Sequence, residues 1–150
     1  MDVFKTSTET WKFFRKYHYL NHDLNNSAQC YVAEWEGKIV GFIAILHFPH
    51  PSEKRWKNVS RLVVLPDYQG VGIGVALLEV VGRIYLKQGF RYKIVTSNPV
   101  LCYYFNKSDN WKCIRQGRVR KVLQESGMTG LNKTISINRL TTSWEYKLSK

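Results

Sequence analysis

Several signals that place a chain in a common protein class are absent from this sequence. No apolar run of about eighteen residues occurs, so no transmembrane helix is expected. The first residues, Met-Asp-Val-Phe-Lys-Thr-Ser, contain no apolar stretch typical of a secretory signal. Only three cysteines occur, Cys30, Cys102 and Cys113, and no two of them form a Cys-x-x-Cys pair. We therefore expect reduced thiols in a cytoplasmic protein and neither a disulfide framework nor a zinc site.

Acidic residues are scarce. The chain has 11 Asp and Glu against 23 Lys and Arg, which gives a net charge of +12. Such a charge attracts polyanions and is typical of proteins that contact nucleic acid, acidic surfaces or phosphate-rich ligands. Hydrophobic residues make up 44% of the 150 residues, which is enough for the core of one globular domain.

Apolar periodicity predicts an α/β fold with one mixed sheet. The predicted helices are 8–20, 75–87 and 99–107, and the predicted strands are 29–35, 39–48, 58–65, 92–97, 111–114, 135–137 and 144–148. The dipeptide step Glu36-Gly37 indicates a hairpin between the first two of these strands. The segment 52–57 is expected to be a charged loop.

One stretch is more informative than any other, Gln69-Gly70-Val71-Gly72-Ile73-Gly74. It follows a predicted strand and opens a predicted helix. Glycines at alternate positions remove the β-carbons from one side of the turn, so backbone N–H groups can close around an anion. The helix that follows adds its unpaired N–H groups and the positive end of its dipole. The stretch therefore predicts a pyrophosphate site.

Two common phosphate-binding motifs do not fit this stretch. A Walker loop needs Gly-Lys-Ser/Thr, where this chain has Ile73-Gly74-Val75. A Rossmann fingerprint needs Gly-x-Gly-x-x-Gly and an acid after the next strand, but no acid follows residue 97 before Asp109. Nucleoside triphosphate and dinucleotide chemistry are therefore disfavoured.

The stretch resembles the coenzyme A loop of the GNAT acyltransferases, Gln/Arg-x-x-Gly-x-Gly/Ala. Gln69, Gly72 and Gly74 match that pattern, and the segment 64–68, Val-Leu-Pro-Asp-Tyr, resembles its lead-in. The resemblance covers roughly residues 31–111. It implies a single-domain α/β fold with a mixed sheet, splayed central strands and flanking helices. It also implies acetyl-CoA or another acyl-CoA as the cofactor, and acyl transfer to an amine.

The same resemblance implies residue roles in coenzyme A binding. Leu62, Val63 and Val64 would hold the pantetheine arm, and a backbone N–H near Val63 or Val64 would stabilise the oxyanion. The pyrophosphate would lie on Gln69, Gly70, Val71, Gly72, Ile73 and Gly74.

The family also has a helix motif, Asn-x-x-Ala-x-x-Leu-Tyr, whose tyrosine is the general acid in many members. Asn98 matches its first position, which implies a contact with coenzyme A, but Phe105 occupies the tyrosine position. The general acid is therefore open between Tyr104 and Tyr103, and we favour Tyr104.

A general base is needed because the attacking amine must be neutral. The candidates are His47, His18, His50, Glu34 and Glu53, with His47 and His18 favoured because histidine has a suitable pKa. His18 and His22 have helical spacing, but no third ligand accompanies them, so no metal is expected.

Two basic clusters indicate a nucleic-acid partner. Lys54, Arg55 and Lys57 surround Trp56, and Lys112, Arg115, Arg118, Arg120 and Lys121 lie in a stretch without acids. Cations bind phosphates and an aromatic ring can stack on an unpaired base. A solvated basic surface is the open alternative.

A narrower resemblance points the same way. His18-Tyr19-Leu20, the strand 42–49, Thr96-Ser97-Asn98-Pro99 and Arg139-x-Thr-x-Ser-Trp-x-Tyr are similar to phage and mobile-element GNAT proteins related to the Mom DNA-modification enzyme. This implies a nucleic-acid base as acceptor, with Arg139, Ser143 and Tyr146 near it. A small-molecule amine acceptor and a non-catalytic GNAT-like binding domain remain alternatives.

Overall fold

The computed structural model describes residues 1–18, 23–118 and 140–148, with only the backbone of Arg118 and Leu140. The strands are β1 (Asp2–Thr6), β2 (Gln29–Trp35), β3 (Lys38–His47), β4 (Trp56–Val64), β5 (Arg91–Thr96), β6 (Trp111–Arg118) and β7 (Leu140–Tyr146). The helices are α1 (Trp11–Phe14), between two short 3-10 turns, α2 (Ile73–Lys87) and α3 (Pro99–Lys107).

These strands form one seven-stranded sheet in the order β1-β2-β3-β4-β5-β7-β6. Only β4 and β5 are parallel, with α2 as their crossover, and every other neighbouring pair is antiparallel. The tight β2–β3 turn has left-handed backbone at Glu36 and Gly37, as the hairpin signal predicted.

The two central strands separate part-way along their length. Their ladder runs from Trp56 opposite Arg91 to Val59 opposite Ile94 and then stops, although β4 continues to Val64. At the same level Ser60 is an extra residue in β4, because Ala44 pairs with Arg61 while Ile45 pairs with Val59. Such a bulge bends a strand and increases its twist. The result is a V-shaped cleft that is closed at the Trp56 end and open at the Val64 end.

Hydrophobic side chains cover the sheet on both sides. On the side we call the α1 face, Trp11 and Phe14 pack on Phe42, Ala44 and Val63. On the opposite side, the α2 face, the buried side chains are Tyr31, Ile43, Leu77, Leu78, Val81, Tyr85, Tyr92, Phe105, Trp111, Trp144 and Tyr146. The α2 face is rich in aromatic rings, and α2 and α3 pack there together.

The structure confirms the predicted α/β fold with a mixed sheet and corrects several boundaries. The predicted strand 29–35 is β2 and the predicted helix 99–107 is α3. The loop prediction for 52–57 is wrong at its end, because Trp56 and Lys57 already belong to β4. The first helix is short and its last 3-10 turn ends at Tyr17, and β1 was not predicted. The predicted strand 135–137 lies outside the described residues.

In the described ranges, no helix is long and apolar enough to cross a membrane.

Candidate functional site

The glycine stretch forms a turn between β4 and α2. Gly70 and Gly72 have φ of 82° and 89°, a left-handed conformation that glycine adopts without strain. The Ala76 N–H donates to the Gly72 oxygen at 3.0 Å, so the N–H groups of the preceding helical residues have no helical acceptor. Val71 is 73% exposed. Unpaired N–H groups at a helix N-terminus, reached through a turn without β-carbons, can bind a phosphate group.

The turn is attached to the end of β4. The Gln69 side-chain amide donates to the Val64 backbone oxygen at 2.8 Å. A β-carbon on Gly74 would lie 3.4 Å from Val64 Cγ2, so the first turn of α2 lies directly against the strand. The glycine turn therefore has a fixed position relative to the mouth of the cleft.

The edge of β4 beyond the bulge faces the cleft. The Leu65 N–H donates to the Val40 oxygen at 2.9 Å, so the backbone of Leu65 points toward β3. Because alternate residues of a strand direct their backbone groups to opposite neighbours, Leu62 and Val64 present theirs to the cleft, and Val63 points toward β3. An extended ligand could pair with this edge as an added strand does.

This combination of cleft, strand edge and glycine turn agrees with the comparison to protein families. The sequence profile of the Acetyltransferase (GNAT) family matches residues 2–107. The chain belongs to the GNAT acetyltransferase family. The matched residues run from β1 to α3 and include the whole glycine turn.

Solved structures of other acetyltransferases share this fold. The ribosomal-protein-alanine N-acetyltransferase from Brucella melitensis superposes with a TM-score of 0.67 at 12% identity, covering 99% of this chain and 100% of that one. An IAA acetyltransferase from Bacillus cereus gives 0.66 at 16% identity, covering 98% and 99%. A GNAT family acetyltransferase from Elizabethkingia anophelis with acetyl-CoA bound gives 0.60 at 14% identity, covering 98% and 97%.

Curated relatives match over a shorter segment. The histone acetyltransferase type B catalytic subunit of Arabidopsis thaliana is 34% identical over 62 residues, which is 41% of this chain and 13% of that protein. The subunit of Zea mays matches to the same extent. The chain thus aligns with about an eighth of these larger proteins.

Asn98 begins α3. Its side-chain oxygen accepts hydrogen bonds from the N–H groups of Val100 at 2.9 Å and Leu101 at 3.3 Å. These bonds make Asn98 the N-cap of the helix, so α3 starts at the open end of the cleft. A contact of Asn98 with coenzyme A remains a prediction.

The two tyrosines considered as general acid point away from each other. Tyr104 donates to Glu79 Oε1 at 2.8 Å, and burial, followed by its bond to Glu79, raises the pKa of its hydroxyl. Tyr103 is 63% exposed. Phe105, at the family's tyrosine position, is buried, with its ring centroid 4.3 Å from that of Trp111.

Glu79 joins both helices of the α2 face and was not recognised in the sequence. It is 9% exposed and also accepts from Trp111 Nε1 at 3.4 Å and Arg83 Nη2 at 3.4 Å. Arg83 Nε in turn donates to the Tyr146 hydroxyl at 3.3 Å. A single glutamate in a helical sequence does not indicate a buried hydrogen-bond acceptor. Only the packing of α3 and β6 against α2 surrounds Glu79 with donors.

The predicted histidines lie in different places. His47 pairs with Lys57 at the closed end of the cleft, and its ring faces Phe90 on the α2 face at 6.1 Å. His18 lies beside Trp11 at 5.5 Å on the α1 face. His50 Nδ1 is 2.8 Å from Ser52 Oγ. The two acids considered as bases lie elsewhere. Glu34 is the register partner of Asp2 in the β1–β2 ladder at the sheet edge, and Glu53 bonds Arg55.

The first basic cluster differs from its predicted form. Trp56 is 8% exposed and its ring is covered by Arg91 at 4.0 Å and Lys93 at 4.9 Å, so it presents no free face to a base. Lys57 is buried against Phe90, and burial lowers the pKa of its amine. Of this cluster, Lys54 and Arg55 are exposed.

The second basic cluster begins on β6. Lys112 and Arg115 are exposed and pair with Glu145 and Ser143 of β7. The side chain of Arg118 and all of Arg120, Lys121 and Arg139 lie outside the described residues. Ser143 lies on the α1 face of β7, whereas Tyr146 is fully buried on the α2 face, where it cannot reach an acceptor on the α1 face.

Three further polar residues lie on the α1 face near the closed end of the cleft, where β4 and β5 separate; we call this place the apex. Asn58 is opposite Lys93 in the β4–β5 ladder, and Arg61 follows the bulge. Arg61 lies over the Trp11 ring at 5.7 Å. Sequence reasoning missed this group because the parallel register and the bulge, which place the three together, are set by long-range pairing.

Proposed function

We propose that the chain is an acetyltransferase that moves the acetyl group of acetyl-CoA to the nitrogen of an amine. The observation that carries the proposal is the free edge of β4 leading directly into the glycine turn. An extended thiol arm and a pyrophosphate, joined in one molecule, match these two features in order. Several similar structures, among them the protein from Elizabethkingia anophelis, are described with acetyl-CoA bound.

The residues of the chain would bind and orient the donor and stabilise developing charge. Leu62 and Val64 pair with the pantetheine arm, and residues 69–74 bind the pyrophosphate. The Leu62 N–H is the proposed donor to the carbonyl oxygen as it becomes an oxyanion, because it faces the cleft nearer the closed end than Val64, which adjoins the glycine turn. The amine nitrogen attacks the thioester carbon, a C–N bond forms, the C–S bond breaks and the thiolate takes up a proton.

A proton must leave the attacking amine, and His18 is the proposed acceptor. His18 and Arg61 both contact Trp11, so His18 lies on the face where the apex carries polar groups. His47 is a weaker candidate because it lies at the closed end on the opposite face. Tyr104 remains the proposed general acid only if its hydroxyl leaves Glu79.

We further propose an acceptor amine on a nucleic-acid base, as in Mom-like DNA modification. The support is the net charge of +12 together with the α1 face of β5, β6 and β7. That face carries Arg91, Lys93, Lys112 and Arg115, and its acid, Glu145, already bonds Arg91 at 2.8 Å. The phosphate backbone of a nucleic acid could bind to several cations on this face.

The test of acetyl transfer is calorimetry with acetyl-CoA followed by measurement of free thiol release. DNA, RNA and a panel of small amines serve as acceptors, and mass spectrometry of the digested nucleosides looks for an added acetyl group. Acetylated bases support the full proposal, and acetylated small amines alone support the small-molecule alternative. Binding without release of thiol above hydrolysis in any mixture would support a binding domain and contradict the enzyme.

The nucleic-acid part has its own measurement. Replacing Lys112 and Arg115 by Ala should weaken DNA binding for all sequences and lower the slope of log K against log salt by about 0.9 for each phosphate that the variant no longer neutralises. Lys5→Ala and Lys38→Ala, at the far side of the sheet, are the charge-matched control. Equal slopes for the two double variants would show that Lys112 and Arg115 do not contact DNA.

A further inference from the structure

The polar group at the cleft apex faces one side of the sheet. In β4, Val59 packs in the α2-face core, so its neighbour Asn58 is on the α1 face. In β5, Ile94 packs in that same core, so Lys93 is on the α1 face too. The two residues are register partners on adjacent strands, which lie about 4.8 Å apart. One further pair, Val59 with Ile94, lies between them and the point where the strands separate.

The opposite side of the apex is filled by hydrophobic residues. Ile94 is 4% exposed, Trp144 is 2% exposed and Phe105 is 1% exposed. A second substrate cannot approach the thioester through this packed core. The acceptor must therefore reach the apex from the α1 face, past Asn58 and Lys93.

Lys93 is a cation without an acidic partner in the described part of the chain. Its ammonium lies 4.9 Å from the Trp56 ring and 5.4 Å from the Phe48 ring. The nearby acids are engaged by Arg91, which bonds Glu145 at 2.8 Å and Glu53 at 3.4 Å. Burial and the neighbouring Arg91 lower the pKa of the Lys93 amine, as expected for a charge that lacks a counter-ion.

Asn58 has an acceptor atom that no described residue uses. Its side-chain oxygen is buried and has no hydrogen-bond donor. A buried carbonyl oxygen in this state is costly and normally has a partner. An N–H group of a bound molecule would satisfy it.

We propose that Lys93 and Asn58 bind the acceptor, and that the acceptor is an amine carrying a phosphate or carboxylate group beside the reacting nitrogen. This inference rests on the proposed acetyl transfer, and it favours a small-molecule acceptor over the exocyclic amine of a base, which has no anionic group beside it. Lys93 binds the anionic group, and the Asn58 oxygen accepts one N–H of the amine, which directs the nitrogen lone pair to the thioester. The same positive charge, together with Arg61, disfavours an ammonium ion and so favours the neutral amine that can attack.

The test compares matched acceptors that differ in one anionic group. The pairs are phosphoethanolamine with ethanolamine and glycine with glycinamide, so that phosphate and carboxylate are distinguished. We expect wild type to prefer the anionic member of at least one pair by about tenfold in kcat/KM, which is about 1.4 kcal/mol. Lys93→Gln should abolish the preference and Lys93→Arg should retain most of it. Lys5→Gln, at the sheet edge, should behave as wild type.

A second measurement does not depend on turnover. Calorimetry of the protein saturated with coenzyme A should detect binding of phosphoethanolamine or glycine that Lys93→Gln removes, while coenzyme A affinity stays unchanged. A preference for the uncharged members, or one that Lys93→Gln leaves intact, would overturn the inference with acetyl transfer still standing. If no pair is acetylated, calorimetry alone decides the inference: Lys93-dependent binding supports the anion site and its absence rejects it, whereas acetyl transfer itself is judged on the wider set of acceptors given above.

Discussion

The side-chain amide of Gln69 donates a 2.8 Å hydrogen bond to the backbone oxygen of Val64. This bond connects the glycine turn to the strand edge that faces the cleft. Removing one hydrogen bond of this kind costs about 1 kcal/mol. We expect Gln69→Ala to weaken coenzyme A binding about fivefold by calorimetry, while Gln88→Ala, at the end of α2, has no effect. An unchanged affinity would show that the turn keeps its position without this bond.

Gly72 is expected to be more sensitive than Gln69. Its φ of 89° is left-handed, and a β-carbon there costs about 1–2 kcal/mol and occupies the side on which a phosphate would approach. Gly72→Ala should therefore lower both stability and coenzyme A affinity, the latter by more than tenfold. Gly37→Ala is a matched control, because Gly37 has a φ of 74° and open space around it in the β2–β3 hairpin. It should lower stability alone, as measured by urea unfolding.

Glu79 should be important for stability. Glu79→Ala leaves Tyr104, Trp111 and Arg83 without their shared acceptor, and a loss of about 2–4 kcal/mol is expected in urea unfolding. Tyr104→Phe removes one donor and should cost about 1 kcal/mol. A double-mutant cycle should show coupling between the two positions, and Tyr103→Phe is the exposed control.

The same Tyr104→Phe variant tests the general acid. If Tyr104 protonates the thiolate, kcat falls well below that of the Tyr103→Phe variant, although coenzyme A affinity is retained. An undiminished kcat would leave Tyr104 as a structural donor to Glu79.

The two histidines are predicted to differ in their effect on rate. His18→Gln should lower kcat/KM about 100-fold at neutral pH, and the loss should shrink as pH rises and the free amine becomes abundant. His47→Gln should change the rate less than about twofold, because His47 lies at the closed end of the cleft. A lower kcat/KM in the His47 variant with no change in the His18 variant would make His47 the general base. Coenzyme A affinity, measured separately, should be the same in both variants.

Glu53 gives the stability a defined pH dependence. Hydrogen bonds from Arg55, joined by one from Arg91, lower the pKa of its carboxyl from 4.5 to about 2. A depressed pKa means that the folded state favours the ionised form, so the stabilisation is complete above pH 4.5 and is lost as pH falls toward 2. Glu53→Gln should therefore be less stable than wild type at pH 7, and the difference should disappear by about pH 2. If the free energies of unfolding of wild type and Glu53→Gln differed by the same amount at every pH in this range, the ion pairs of Glu53 would be contradicted.

Local patterns in the sequence predicted much of this protein. Apolar periodicity predicted β2 over 29–35 and α3 over 99–107. The alternating glycines predicted a tight turn ahead of a helix, which the structure has. These features depend on residues within a few positions of one another, so the sequence contains their physical cause directly.

The arrangement of the site depended on contacts between distant residues. Trp56 reads as a loop aromatic in the sequence, but the ladder to Arg91 and the two cations over its ring make it a buried strand residue. His47 reads as a neighbour of the cleft, but antiparallel pairing with Lys57 carries it to the closed end. Asn58 and Lys93 are 35 positions apart and meet only because β4 and β5 are parallel in one particular register. Local patterns thus predicted most of the helices and strands and the glycine turn, though not β1. The pairing of distant strands and the bulge at Ser60 set which side chains lie at the cleft, because both are long-range contacts.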